Sequence, residues 1–190
     1  MTTNIWQGQK IRLRAVEPED WSAYLAWNED SEAERSSYFI PFPPAKAWMK
    51  QRLEKEAQTA PDGDTFRFQI ETLEGELVGT INTTNASPRH GTFGYGLSIK
   101  RAARRQGYAT EAIKLILNYY FCELRYQKVT VHIYDFNQPS IKLHQRLGFQ
   151  QEGRLRRMGH TKGAYYDELI FGMTKEEFAA QHQPGANSII

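Results

Sequence analysis

Apolar and charged residues alternate in "KIRLRAV", with Ile11 and Leu13 on one face and Lys10, Arg12 and Arg14 on the other. This is the period-two pattern of a half-exposed strand. The following "EPEDWSAYLAWNED" puts acidic residues in a first turn and predicts a helix with Trp21, Tyr24 and Leu25 turned inward. A second amphipathic helix is predicted over roughly 44–57. Beyond it, "TFRFQIE" sets Phe66, Phe68 and Ile70 on one strand face, and "LEGE" turns the chain into a strand over 77–82, making a hairpin. After the turn-rich "TNASPRHG", "TFGYGLSI" reads as a strand weakened by Gly94 and Gly96. Those glycines predict a bulge, or a close approach of something to the backbone, leaving a gap that could admit a ligand.

From Gly107 onward Tyr108, Ala109, Ala112, Ile113, Ile116, Leu117, Tyr120 and Phe121 recur at helical spacing, the strongest such pattern in the chain. "KVTVHIY" then supplies a strand through Val129, Val131 and Ile133, and "NQPSIKLHQRLGF" a short helix ended by Gly148. Strand, helix, strand implies parallel neighbours joined by a crossover. A last hairpin sets 149–154 opposite 165–173. The expected class is α/β, a mixed sheet with helices on both faces. One domain is expected over 1–178, with a tail over 179–190 that ends in "QPGANSII".

Composition narrows the function. With 190 residues, 40% hydrophobic and 24% charged, the chain has the make-up of one globular domain. A formal charge of +2 is too small for a surface devoted as a whole to nucleic acid, so a basic role must come from the clusters at 100–105 and 154–157. A nucleic-acid surface on "KRAARR" and "RLRR" would predict binding that falls steeply with salt; no recognition motif accompanies these segments, and no nucleic-acid partner is expected. The single cysteine, Cys122, excludes an internal disulfide and reads as a small buried hydrophobe in a reducing compartment. No apolar run approaches the roughly 20 residues of a membrane span, and "MTTNIWQGQK" lacks the apolar stretch of a signal peptide. A cytoplasmic protein with no membrane partner is expected. His90, His132, His144, His160 and His182 show no metal-ligand spacing, so no metal is expected. No Ser sits in a Gly-x-Ser-x-Gly turn, which argues against a Ser-His-Asp hydrolase.

The start of the strongest helix is unusual. Arg101, Arg104 and Arg105 crowd an end that already carries partial positive charge. No Ser, Thr, Asp or Asn stands between Lys100 and Ala109 to cap it, and no acidic residue follows Lys100 before Glu111. A phosphate would meet both deficits, accepting the amides and pairing with guanidiniums. Gly107 would then let the anion approach the backbone. "RRQGYA" is neither a dinucleotide fingerprint nor a nucleoside-triphosphate loop.

Arg104-x-x-Gly107-x-Ala109 resembles the acetyl-coenzyme A pyrophosphate motif, Arg/Gln-x-x-Gly-x-Gly/Ala, of the GNAT N-acetyltransferase superfamily. "NQPSIKLHQRLGF", "EGRLRR…GAYYDELIFGM" and "IRLRAVEPEDW" resemble its RimJ/RimL-like branch, over roughly residues 8–178. The resemblance implies a mostly antiparallel twisted sheet of about seven strands with a splayed parallel pair, and direct acetyl transfer from acetyl-CoA to a primary amine, either a protein N-terminal α-amine or a small molecule. It implies that Arg104, Arg105, Gln106, Gly107, Tyr108 and Ala109 hold the pyrophosphate, with a hydroxyl contact from Thr110. Leu97, Ser98 and Ile99 would pair with pantetheine, an amide there serving as oxyanion donor. Asn137 and Ser140 would contact coenzyme A near the sulfur, Ser140 protonating the departing thiolate or hydrogen-bonding to it. On residues alone, Asn137 also reads as the cap of its helix, with Ser140 in the first turn.

His144 stands where many family members carry a tyrosine, and it reads as a solvent-facing residue on the Ser140 face. The glutamate that family enzymes often carry two positions before the glycine matched by Gly96 is Gly94 here. Glu71, Asp167 and Glu168 remain as bases acting through water. Without a strong base an α-amine is favoured, since deprotonation at pH 7 costs a lysine-type amine roughly 4 to 5 kcal/mol and an α-amine about 1. Tyr38, Phe39 and Phe42 are expected as an aromatic wall for the acceptor, with Phe39 and Ile40 reading equally as core, and Tyr165 and Asp167 lining the acceptor groove or stabilising the last hairpin. A homodimer is compatible with the resemblance. The competing reading is a non-catalytic coenzyme A-binding sensor.

Overall fold

The computed structural model describes residues 4–37 and 39–182, and among these the chain forms seven strands and six helices. The strands are β1 (Ile11–Arg14), β2 (Arg67–Thr72), β3 (Leu77–Ser87), β4 (Thr92–Ile99), β5 (Lys128–Tyr134), β6 (Gln150–Thr161) and β7 (Ala164–Thr174). The helices are α1 (Trp21–Asn28), α2 (Ser31–Ser37), α3 (Lys46–Ala57), α4 (Tyr108–Asn118), α5 (Gln138–Arg146) and α6 (Lys175–His182). The strands lie in the order β1-β2-β3-β4-β5-β7-β6, mostly antiparallel, with β4 and β5 parallel, as expected. Their register pairs, Thr92 with Lys128 and Phe93 with Val129, lie at the first residues of both strands. Internal packing divides the chain into two compact units, Met1–Thr83 with Gly96–Leu115 and Thr84–Tyr95 with Ile116–Ile190; β3 and β4 run through both.

In the first unit, β1 pairs antiparallel with β2, and β2 with β3 through a bulge between Ile70 and Glu71. Val16, Tyr24, Met49 and Leu53 form a buried cluster against which Trp21, Leu25 and Trp27 pack. The polar face of β1 is used rather than solvated. Arg12 and Arg14 both donate to Glu71, and Arg14 also reaches Asp20 at 2.9 Å. Phe66 precedes β2 rather than lying in it, half-buried with its ring 4.7 Å from that of Phe68.

In the second unit, β5 pairs with β7 along its whole length, from Lys128 opposite Thr174 to Tyr134 opposite Glu168. The β6–β7 hairpin is longer than its apolar residues imply, closing at Thr161 opposite Ala164. Lys162 (φ 51°) and Gly163 (φ 72°) make that turn, the left-handed pair that suits the twist of a two-residue hairpin loop. Helical periodicity past Asn118 continues as a π-helical turn, Tyr119–Glu123, rather than as α-helix. Its wider winding lets the consecutive Tyr120 and Phe121 both turn inward. There the Phe93 ring stacks on Tyr120 at 4.2 Å and meets Phe121 and Tyr126 edge-on.

Gly94 and Gly96 admit the protein itself rather than a ligand. A Cβ on Gly94 would lie 2.9 Å from the Thr130 carbonyl oxygen of β5, and one on Gly96 would lie 3.1 Å from Asn82 Oδ1. α2 and α6 were not predicted, and α6 carries the chain to His182, past the start of the expected tail; 183–190 lie outside the described residues.

Phe93, 2% exposed, is the centre of an aromatic cluster, and Phe93→Ala costs about 3 to 5 kcal/mol by urea unfolding. Phe42→Ala, at a residue 96% exposed, stays within about 0.5 kcal/mol of the parent.

Candidate functional site

The predicted anion site lies in the first unit. After β4, a 3-10 turn at Arg101–Ala103 leads to Arg104 in extended backbone, then Arg105 at φ 65° and Gly107 at φ 90°. Gly107 is needed for its backbone conformation as well as for the space of a missing Cβ. The first α-helical hydrogen bond of α4 runs from the Glu111 amide to the Gly107 carbonyl at 3.1 Å. The amides of Tyr108, Ala109 and Thr110 therefore lie in the first turn, where no intrahelical carbonyl can meet them. Glu111 is turned away from them, its carboxylate accepting the backbone N–H groups of Gln9 and Lys10.

The cations around this turn differ from those expected. Arg104 donates through Nε to the Ile99 carbonyl at 3.1 Å, which ties the exposed Arg104 to the end of β4. Arg101 is committed elsewhere, to Asp30 at 2.7 Å. That hydrogen bond lowers the Asp30 pKa to about 2. Lys10, distant in sequence, donates its Nζ to the Gln106 carbonyl at 2.9 Å and would lie 3.3 Å from a Cβ on Gly107. Its only signal in sequence was membership of the basic face of β1. Arg104, Arg105 and Lys10 thus bring three cationic side chains to a turn that presents backbone donors, an arrangement suited to a diphosphate. The turn therefore fits the cofactor that the motif implies.

Asn137 and Ser140, expected near the thiol, lie in the second unit. Asn137 caps α5, its Oδ1 accepting the Ser140 amide at 3.3 Å. His144, expected at the surface, is 5% exposed. The ring sits under Tyr95, stacked at 5.9 Å, with Phe149 edge-on at 5.0 Å. Its Nε2 is 2.9 Å from the Tyr95 hydroxyl, and its Nδ1 is 2.8 Å from the Ser140 carbonyl oxygen and 3.4 Å from Ser140 Oγ. Burial draws the His144 pKa down against the opposing Ser140 hydrogen bond, and burial raises Tyr95 well above the usual phenol range. Tyr95 was not singled out in sequence, because an aromatic residue in a strand signals core before chemistry.

Of the residues expected to line an acceptor groove, Tyr38 lies outside the described residues. Phe39 and Phe42 are exposed and, with Trp48, Met49 and Glu34, line a cavity of about 250 Å³ within the first unit. Burial, with Asp30 adding to it, pushes the Glu34 carboxyl up. The other two belong to the last hairpin. Asp167 accepts Arg154 Nε at 2.6 Å and the Arg157 amide at 2.8 Å, and the Arg157 guanidinium lies 4.3 Å from the Tyr165 ring centroid.

The carboxylates considered as bases are engaged. Burial pushes Glu71 up, but hydrogen bonds from Arg14 and Arg12 outweigh it and hold the carboxyl below its usual range. The Arg157 amide and Arg154 do the same to Asp167. Glu168 Oε2 lies 3.2 Å from His132 Nδ1. Among the described residues no group of three His, Cys, Asp or Glu is placed to hold a metal ion, and no helix is long and apolar enough to cross a membrane.

Residues 10–150 match the model of the acetyltransferase (GNAT) domain. The chain is 40% identical over 186 residues to the SPbeta prophage-derived uncharacterized N-acetyltransferase YokL of Bacillus subtilis (strain 168), covering 96% of this chain and 99% of that protein. It is 24% identical over 180 residues to the spermidine N(1)-acetyltransferase of Escherichia coli (strain K12), covering 95% and 94%. Among solved structures, the spermidine N-acetyltransferase from Vibrio cholerae in complex with CoA and spermine superposes with a TM-score of 0.75 at 22% identity, over 88% of this chain and 97% of that one.

Gly107→Ala, at φ 90°, lowers stability by about 1 to 2 kcal/mol in urea unfolding, because an L side chain is strained in left-handed backbone. A second outcome concerns pH. Asp30 is depressed in the folded state to about 2, so its pair with Arg101 contributes stability above the unfolded carboxylate range and loses it as pH falls toward about 2. Arg101→Ala therefore lowers the urea midpoint at neutral pH, and the difference from the parent shrinks to nothing in acid.

Proposed function

We propose, for a chain that belongs to the GNAT acetyltransferase family, that it transfers acetyl from acetyl-CoA to a primary amine of low pKa, an α-amine before a lysine-type one. The observation that carries this reading is the turn at Arg104–Thr110, where the left-handed Gly107, the opening amides of α4 and three cations meet. Acetyl-CoA supplies acetyl as a thioester: the C–N bond forms, the C–S bond breaks with its electron pair on sulfur, and the proton shed by nitrogen balances the one sulfur takes up.

This chain's residues divide the remaining work. Arg104, Arg105, Gln106, Gly107, Tyr108, Ala109 and Thr110 hold the diphosphate, with Lys10 as an added cation. Leu97, Ser98 and Ile99 present β4 backbone to the pantetheine arm, and the Leu97 amide donates where negative charge develops on oxygen. Asn137 and Ser140 serve the thiol end. The Glu34 carboxyl among Phe39, Phe42 and Trp48 offers a cationic acceptor a charge partner and aromatic faces. Tyr165 and Asp167 shape the hairpin side of the acceptor groove. The likeness of the closing segments supports the RimJ/RimL-like branch, and a cytoplasmic location belongs to the same reading.

Release of free thiol from acetyl-CoA, followed across α-amines, lysine-type amines and spermidine at neutral pH, tests the activity. α-Amines are expected to turn over fastest. A strong preference for lysine-type amines or spermidine would overturn the acceptor assignment, and tight cofactor binding with no turnover would identify a sensor instead. For the cofactor, Arg104→Ala weakens coenzyme A binding about tenfold by calorimetry, the loss of one charged hydrogen-bond partner. Arg101→Ala, whose guanidinium is spent on Asp30, changes it less than about twofold.

A further inference from the structure

His144 and Tyr95 form a buried pair that the transfer reading does not use. The Ser140 carbonyl can only accept, so His144 Nδ1, 2.8 Å away, carries the ring proton. Nε2 is then an acceptor, and the Tyr95 hydroxyl 2.9 Å away donates to it. With the two residues 5% and 8% exposed, a lost partner on either would leave a polar atom unsatisfied in the interior. The groups facing the imidazole are Tyr95 from β4, Ser140 from its own helix and the Phe149 ring that follows it. Burial lowers its pKa, against the hydrogen bond to Ser140.

A relay is the obvious role for such a chain, and its proton balance fails. Passing the Nδ1 proton to Ser140 Oγ while Nε2 takes one from Tyr95 would leave a tyrosinate in a site that disfavours charge. The Nδ1 hydrogen also points to the carbonyl at 2.8 Å rather than to Oγ at 3.4 Å. The Ser140 hydroxyl hydrogen is therefore not taken by the ring. We propose that Tyr95 and His144 are positioning residues: the pair pins the first turn of α5, so that the Ser140 hydroxyl is held to hydrogen-bond to the departing sulfur without surrendering its proton. This rests on the acetyl-transfer reading above.

The pair is tested first without any substrate, by long-range proton–nitrogen spectra of the 15N-labelled full chain between about pH 5.5 and 8.5. His144 is expected as the Nδ1–H tautomer throughout, untitrated, and Tyr95→Phe is expected to shift its Nε2 resonance. An Nε2–H tautomer, or titration near neutrality, overturns the pair. In turnover, Tyr95→Phe is expected to lower kcat roughly tenfold or more with KM for acetyl-CoA little changed, since misplacement rather than lost binding is the fault. His144→Asn, which keeps a donor near the Nδ1 position, is expected to retain more kcat than His144→Leu. Equal loss in both, or a change confined to KM, overturns the positioning role. If the parent shows no turnover while the tautomer is as expected, the transfer reading fails and takes the kinetic role with it, leaving the pair itself established.

Discussion

The opening amides of α4 need acceptors that their own helix cannot supply, and the local structure before α4 is organised around that deficit. A Ser or Asp at the cap would meet it internally and leave nothing for a ligand. Here the cap position is Gly107 at φ 90°, preceded by Arg105 in left-handed backbone, a conformation costing a non-glycine residue on the order of 1 to 2 kcal/mol. Within the protein that turn is held by hydrogen bonds from Arg104 to the Ile99 carbonyl and from Lys10 to the Gln106 carbonyl. A polyanion bound there would offset the strain and the gathered like charges, as ligands do at functional strained sites. The surroundings support that view: Glu111 is turned to the Gln9 and Lys10 amides and Asp30 takes Arg101.

Much of the fold was legible because burial imposes a period. β1 and β5 alternate, α4 repeats at helical spacing, and α4 is the crossover between the parallel β4 and β5. The misses have physical causes. α2, "SEAERSS", buries none of its residues, so it carries no apolar stripe to detect. The π-helical turn after Asn118 follows from packing Tyr120 and Phe121 against Phe93, a long-range demand that local spacing does not encode. The hairpin was predicted short because "RLRRMGH" at its tip is exposed and bulged, and an exposed strand has no hydrophobic pattern.

The site was legible where one residue type answers one backbone need, and obscure where partners come from afar. Gly107 and Asn137 announce themselves locally, one by a left-handed turn and the other by capping α5. His144 does not. Its exposure was inferred from helix register and polarity, yet Tyr95 and Ser140 satisfy both ring nitrogens and so let a polar ring be buried. Lys10 was hidden for the same reason: 96 positions separate it from Gln106, the residue its ammonium meets.

The ion pairs also bear on catalysis. A carboxylate held by two guanidiniums, as Glu71 is by Arg12 and Arg14, is a weaker base than a free one, because taking a proton would forfeit both hydrogen bonds. Asp167 is held in the same way by Arg154 and the Arg157 amide. Groups so engaged tie β1 to β2 and β6 to β7 by staying charged, and protonation would cost that stability. Backbone donors differ in this respect: the opening amides of α4 keep one protonation state and stand ready without a free carboxylate beside them.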